Sequence, residues 1–348
     1  MNAAILNRDV RIFGVPFDPV DSPERLNLKL AYLSRSADVW RRPERILDPY
    51  DLIQADLGHK ACLLDQSAWL GKVPVDSWLT PRPKARDFPI LGGSEVYSFL
   101  ERNGCWDYAL RVAGFMEREV LPYKPIMIGV DHSSTAGTLM ALAKVYPNLN
   151  VIVLDAHFDV MKHNGFVSNE YKESPHFCHC GNFLAHALER KIIEPEKLWV
   201  LGIADEASPE SRWHSVNTPG LAYPCPNELQ SWINRGVHVQ SKEAVTSQTV
   251  SIDLNGPTYV SIDMDVGSLS AVFSARFMNC YGLTLQEFLT LLSQVRRSIK
   301  KAGVPLVGMD IMEIDIHFLE AARATPRDHT KYIARKALEI FLQDELYS

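Results

Sequence analysis

Short continuous apolar runs alternate along the chain with segments of helical spacing, and three of the apolar runs stop abruptly at acids and histidines. Ile126-Met127-Ile128-Gly129-Val130 leads into Asp131-His132-Ser133. Val151-Ile152-Val153-Leu154 leads into Asp155-Ala156-His157-Phe158-Asp159, and Tyr259-Val260-Ser261-Ile262 into Asp263-Met264-Asp265. Four or five apolar residues without polar alternation fit a strand covered on both faces, as parallel strands are. Residues 134–146, between the first two runs, read as the crossover helix of a βαβ unit. This geometry gathers His132, Asp155, His157 and Asp159 at the carboxyl ends of neighbouring strands, where open α/β sheets place their ligands.

The rest of the chain extends the alternation. Residues 10–18 read as a first strand broken by Gly14 and Pro16. From 18 to about 89 prolines interrupt every candidate helix except 26–40. Trp40, Trp69 and Trp78, with Arg41, Arg42 and Arg45, make this stretch either an irregular packed extension or a lid or peptide-binding shoulder. Residues 108–120 have amphipathic helical spacing, Asn182 is placed to cap a helix running to Lys191, and 198–203 is a further buried strand. Thr284 as N-cap, Glu287 in the first turn, cationic residues near the end and Gly303 as stop delimit a helix. Residues 305–311 read as the last core strand and 327–346 as a closing helix. The expected fold is α/β: a three-layer αβα arrangement around a mostly parallel, doubly wound sheet. One domain is expected over 1–348, with an enlarged irregular segment at about 18–100.

Alternate positions of an extended chain point the same way. One strand end can then aim Asp155, His157 and Asp159 at a common point, and another can add Asp263 and Asp265. Four such aspartates cannot all ionise together unless cations neutralise them. Two divalent ions balance the four charges, with His132 and His157 giving one imidazole each. Oxygen-rich ligation with a minority of imidazole suits manganese better than zinc.

Composition narrows the function without changing this picture. The formal net charge of −6 over 348 residues, with no basic run, argues against a nucleic-acid or anionic-membrane surface. No stretch of about 18 apolar residues predicts a membrane span and no cationic-apolar leader opens the chain, so a cytoplasmic location is expected. The six cysteines are mostly scattered, as for reduced thiols. Cys178 and Cys180, with His163 and His176, could instead form a structural zinc clip.

The three motifs resemble those of the arginase (ureohydrolase) superfamily, the manganese enzymes that hydrolyse guanidino groups to release urea. The family's Gly-Gly-Asp-His-Ser is matched by Gly129-Val130-Asp131-His132-Ser133, its Asp-Ala-His-x-Asp by Asp155 to Asp159, and its Ser-x-Asp-x-Asp by Ser261 to Asp265. The resemblance implies two Mn2+ ions bridged by Asp155 and Asp263, with His132 and Asp159 on one and His157 and Asp265 on the other. It implies that Glu313, after Gly308-Met309-Asp310-Ile311-Met312, pairs with the substrate guanidinium, and that Asp205 lies near the substrate's α-amino group. His179 of His179-Cys180-Gly181-Asn182 is the implied proton shuttle, with Asp159 as relay, although a cysteine interrupts the family's His-Gly.

Around the pocket rim the chain departs from the family. The Ser/Thr/Asn-rich loop that binds a free amino acid's carboxylate is replaced by residues 161–170, and Gly-Leu-Asp-Pro and Pro-Gly-Thr-x-x-Pro-Gly-Gly by residues 266–270 and 274–282. These changes resemble a divergent branch that includes peptide arginases, which convert arginine to ornithine within peptides. A guanidino substrate is therefore expected, in the first instance an arginine-containing peptide. A small free compound such as arginine, agmatine or guanidinobutyrate, and a zinc deacetylase-like amidohydrolase of the related fold, are the alternatives. The oligomeric state is open, a homo-oligomer included.

Overall fold

The computed structural model describes residues 10–36, 46–58, 68–160, 178–204, 226–247, 250, 252–277, 280–322 and 328–347. Eight strands form one sheet: β1 (Val10–Val15), β2 (Trp69–Lys72), β3 (Lys124–Gly129), β4 (Asn150–Leu154), β5 (Leu198–Ile203), β6 (His238–Ser241), β7 (Thr258–Asp263) and β8 (Leu306–Met312). Their order is β2-β1-β3-β8-β7-β4-β5-β6, and every pairing is parallel.

The continuous apolar runs are strands because both faces are covered, so neither side of the pleat needs a polar residue. Phe13, Met127, Val151, Val153 and Tyr259 pack into one hydrophobic layer, and their neighbours Ile12, Ile126, Ile128, Ile152, Leu154 and Val260 into the other. Helices Gly104–Phe115, Thr135–Val145 and Phe183–Glu189 bury their apolar faces in the first layer. Helices Pro49–Gly58, Leu285–Ala302 and Thr330–Tyr347 fill the second. The first layer packs tightly enough that a Cβ on Gly137 would meet the Ala109 carbonyl oxygen at 2.1 Å.

The expected three-layer α/β fold stands, and several boundaries shift. The helix expected over 26–40 is Pro23–Ser36, and the one over 108–120 is Gly104–Phe115 followed by a π-helical turn, Met116–Val120. Thr284, Glu287 and Gly303 bound their helix as expected: Thr284 and Glu287 form a reciprocal capping box and Gly303 closes at φ 67°. Asn182 heads the helix Phe183–Glu189, yet its side chain does not cap it. Its Oδ1 accepts from the His179 amide instead, at 2.8 Å.

The strands β3 and β4 are not neighbours: β8 and β7 insert between them. Edge strands β2 and β6 went unread because all their residues are half-buried, which leaves no continuous apolar run. Trp69 stands edge-on to Tyr50 at 5.3 Å and Trp78 edge-on to Phe99 at 5.4 Å, so both pack into the body and build no open shoulder. Trp40, Arg41, Arg42 and Arg45 lie outside the described residues. Among the described residues no helix is long and apolar enough to cross a membrane.

Candidate metal centre

The four central strands β3, β8, β7 and β4 end side by side, and each delivers polar residues at its carboxyl end. A 3-10 turn, His132–Ser134, follows β3; Asp155, His157 and Asp159 follow β4; Asp263 ends β7 and the turn Met264–Val266 carries Asp265; Glu313 follows β8. The paired ligands share a direction for a different reason from the extended chain expected. Asp155 Oδ1 accepts from the His157 amide at 2.6 Å, and Asp263 Oδ1 from the Asp265 amide at 2.8 Å. Each first carboxylate thus captures the amide two residues on and bends the chain into a turn. Asp159 and Glu313 sit in the left-handed region, at φ 48° and 62°. Such conformations cost a non-glycine residue about 1–3 kcal/mol and cluster at functional sites.

The side chains converge in two groups whose ligand atoms lie within 4.8 Å of one another: His132, Asp155, Asp159 and Asp263, and Asp155, His157 and Asp265. His132 Nδ1 is 2.9 Å from Asp263 Oδ2, 3.4 Å from Asp159 Oδ2 and 3.5 Å from Asp155 Oδ2. His157 Nδ1 is 3.0 Å from Asp265 Oδ2 and 3.6 Å from Asp155 Oδ1. Asp155 belongs to both groups, as a bridge between two cations must. Asp263, the second bridge that the resemblance implies, belongs only to the group of His132.

Burial, reinforced by Asp159 and Asp263, pushes the Asp155 carboxyl up to about 6. Burial beside Asp265 pushes Asp263 up to about 7. Burial also holds Asp265 at about 6, although His157 opposes the shift. His132 is driven well above its ordinary value, against the effect of burial, by Asp155, Asp159 and Asp263.

The hydrogen bonds behind His132 sharpen this. Ser261 Oγ donates to Asp310 Oδ1 at 2.6 Å, so it accepts from His132 Nε2 at 2.8 Å. The Asp310 carboxylate is itself held by Tyr259, Thr135 and the Ile262 amide. With its Nε2 proton donated to Ser261, His132 turns Nδ1 toward three carboxylate oxygens, an arrangement made favourable by a positive charge there, either a second proton on the ring or a bound cation. His132 Nδ1, Asp155 Oδ2 and Asp265 Oδ1 are buried and make no hydrogen bond among the described residues. The donor set therefore fits two divalent cations. In the sequence Ser261 stands out only as part of a motif, and the one signal for Asp310 is an acid inside the apolar run of β8.

Glu313 lies beside this centre, fully buried. Its amide donates to the Val130 carbonyl at 3.0 Å and its carbonyl accepts from the Arg276 amide at 3.0 Å, which holds the left-handed turn from both sides. Glu313 Oε1 accepts from the His132 amide at 2.8 Å, whereas Oε2 makes no hydrogen bond among the described residues. Burial raises its pKa well above the ordinary value, with Arg276 opposing.

A third group, Asp21, Asp131 and Cys180, also brings ligand atoms within 4.8 Å. It already has its counter-ion, since the Arg276 guanidinium hydrogen-bonds both Asp131 and Asp21. In the sequence Arg276 stands in a segment that departs from the family, with no local mark of this role.

His179 is buried near the centre; its Nδ1 accepts from the Gly181 amide at 3.0 Å, which leaves the proton on Nε2. Burial lowers its pKa to about 4 against the pull of Asp159 and Asp131, so the ring is neutral near pH 7. Cys178 and Cys180 are buried thiols that burial pushes up, and Cys178 joins no ligand group among the described residues. A zinc clip gains no support from this half; His163 and His176, like Asp205, lie outside the described residues.

An all-parallel αβα sheet whose central strand ends converge on two linked carboxylate–imidazole groups defines an α/β protein with a candidate binuclear metal centre. A model of the arginase family matches residues 101–337, and the chain belongs to that family. It is 29% identical over 197 residues to the proclavaminate amidinohydrolase of Streptomyces clavuligerus, covering 54% of this chain and 53% of that one. It is 24% identical over 222 residues to the agmatinase of Bacillus subtilis, covering 62% and 61%. The chain thus spans between half and two thirds of the length of these relatives. The solved proclavaminate amidino hydrolase structure from Streptomyces clavuligerus superposes with a TM-score of 0.57 at 20% identity, over 97% of this chain and 92% of that one. The arginase from Bacillus cereus gives 0.55 at 18% identity, over 95% and 98%, and these likenesses concern the fold.

Proposed function

We propose that the protein is a dimanganese hydrolase that cleaves a guanidino group with release of urea, and that its preferred substrate is an arginine side chain in a peptide, which becomes ornithine. The observation that carries the reading is Glu313 Oε2, a buried carboxylate oxygen without a partner among the described residues, beside a centre fit for two cations. A guanidinium supplies the positive charge and the N–H donors such an oxygen lacks. A neutral amide can donate an N–H but brings no charge, and two linked ligand groups exceed the single zinc of a deacetylase-like site. The relatives named above act, by their names, on amidino compounds.

His132, Asp155, Asp159 and Asp263 would hold one ion and Asp155, His157 and Asp265 the other. Oxygen-rich ligation favours manganese. When bound, such a pair supplies an acidified water, with a pKa brought toward neutrality, as the nucleophile. Glu313 Oε2 takes an N–H of the guanidinium and fixes the plane of the carbon to be attacked. Asp159 passes a proton to the leaving amine, and His179, buried beside it, is retained as the candidate residue that exchanges that proton onward. Asp205 is retained as a candidate contact for the substrate's α-amino group.

The peptide assignment rests on the replaced carboxylate-binding loop. A free amino acid brings a carboxylate whose desolvation needs dedicated donors, and a peptide brings none at that position. Kinship with an agmatinase favours a small free guanidino compound as the second reading. Urea release from arginine, agmatine and an arginine-containing peptide, side by side with manganese, decides between them. The peptide should react fastest and lose one CH2N2 unit per arginine by mass spectrometry. Far faster turnover of agmatine or arginine would establish the second reading.

A further inference from the structure

Behind Glu313 lies a buried ion network that the proposed reaction does not use. Arg276 is its hub: the guanidinium hydrogen-bonds Asp131 and Asp21, its Nε is 3.8 Å from Asp18 Oδ1, and Nη1 is 3.5 Å from Glu313 Oε1. The segment after β1 and the helix Pro23–Ser36 complete it. Arg25 Nε lies 3.2 Å from Asp18 Oδ1 and its Nη1 2.7 Å from Asp315 Oδ2, while Lys29 Nζ lies 3.6 Å from Asp18 Oδ2. Asp18, Arg25, Lys29, Asp131, Arg276, Glu313 and Asp315 are all buried to 5% exposure or less, apart from Arg276 at 8%. Carboxylates outnumber cations five to three: Asp18, Asp21, Asp131, Asp315 and Glu313 against Arg25, Lys29 and Arg276.

The two oxygens of Glu313 are consequently unequal. Oε1 is taken by the His132 amide and faces Arg276, and only Oε2 remains to receive a new donor. Arg276 also donates its own amide to the Glu313 carbonyl, so one residue braces both the backbone and the carboxylate. We infer that Arg276 is a positioning residue, which fixes Glu313 so that the substrate's cationic head is received on Oε2 in a single orientation, and that residues 18–29 serve the site by holding Arg276. This role rests on the guanidino reading above. Lysine cannot replace it, because one ammonium cannot fork between Asp131 and Asp21 while approaching Oε1.

The test is a double-mutant cycle on the manganese-loaded full chain, combining Arg276→Lys with Glu313→Gln and reading urea release from the best of arginine, agmatine and an arginine-containing peptide. Metal content and melting temperature are followed for each variant. Misplacing a bound group costs about a hundredfold in rate, so Arg276→Lys should lower kcat by about that factor and change KM by less than about threefold. In the Glu313→Gln background the same substitution should cost less than about threefold, since residues acting through one another are not additive. Equal losses in both backgrounds, or wild-type kcat in Arg276→Lys, would overturn the positioning role. If Arg276→Lys shows no cooperative melting, Asp21→Asn, which frees one arm of the guanidinium, replaces it in the cycle with the same criterion of non-additivity. A wild-type chain that releases no urea from any of the three compounds overturns the guanidino reading itself, and this role with it.

Discussion

Two regions of the molecule bury clusters of aspartates a few ångströms apart, and they solve the problem of buried charge in opposite ways. Around Asp18, the charges of Arg25, Lys29 and Arg276 outweigh the desolvation that would raise its pKa and hold the carboxyl below its ordinary value. Around Asp155, Asp263 and Asp265, no ion pair to a lysine or arginine occurs among the described residues, and burial lifts the carboxyls to about 6, 7 and 6. A cluster that carries its own cations is part of the scaffold. One that lacks them is completed from outside, and here the geometry of His132 and Asp155 fits metal ions. Glu313 stands between the two regions, its Oε1 shared by the His132 amide and Arg276 and its Oε2 without a hydrogen-bond partner among the described residues.

Removing the shared ligand should separate the regions most sharply. Asp155→Asn leaves each group of ligands short of a charge, and losing several kcal/mol of transition-state stabilisation should lower urea release by about a thousandfold or more. Elemental analysis should then fall well below the two manganese ions per chain expected of the wild type, and retention of both ions would break the contrast. Next in size is Glu313→Gln, which keeps the shape and removes the charge. Manganese should stay bound while turnover falls about a hundredfold or more. Near wild-type turnover would refute the assignment.

Ser261→Ala tests the support rather than the ligands. It removes the acceptor that keeps the His132 proton on Nε2, and loss of such a partner typically weakens metal affinity by about 10–100-fold. Titration of the metal-free protein with manganese measures it; unchanged affinity would leave the Asp310–Ser261–His132 chain without a role.

The smallest effect belongs to the scaffold. Burial lowers the Lys29 pKa to about 8 from 10.5, with Asp18 opposing, so between those values the unfolded chain binds a proton that the folded chain does not. Stability attributable to Lys29 must then rise as pH climbs through that window. Melting temperatures of wild type and Lys29→Met, compared from pH 7 to 10, should shift in favour of the wild type, and a constant difference would contradict the assignment.

Legibility in the sequence followed local signal. β3, β4 and β7 were readable because each is an uninterrupted apolar run ending in acids, and the helix Leu285–Ala302 because Thr284, Glu287 and Gly303 mark its ends. The half-buried edge strands β2 and β6 carry no such pattern. The proline-rich segment after β1 hid a helix, Pro49–Gly58, whose apolar face is matched by the sheet beneath it and by the helix Thr330–Tyr347, both distant in the chain.

The sequence by itself determined the layer pattern and the six candidate ligands, because a strand's burial and its polar end are written in consecutive residues, and the candidate Glu313 came from the resemblance to the arginase family. Only the tertiary structure decided that β8 and β7 enter between β3 and β4, and that Asp155 is shared by both ligand groups. It alone joined Arg276 to Asp21 and Asp131, 255 and 145 residues away along the chain. Such pairings depend on where the chain returns in space, and the side chains that meet there carry no mark of one another in their own neighbourhoods.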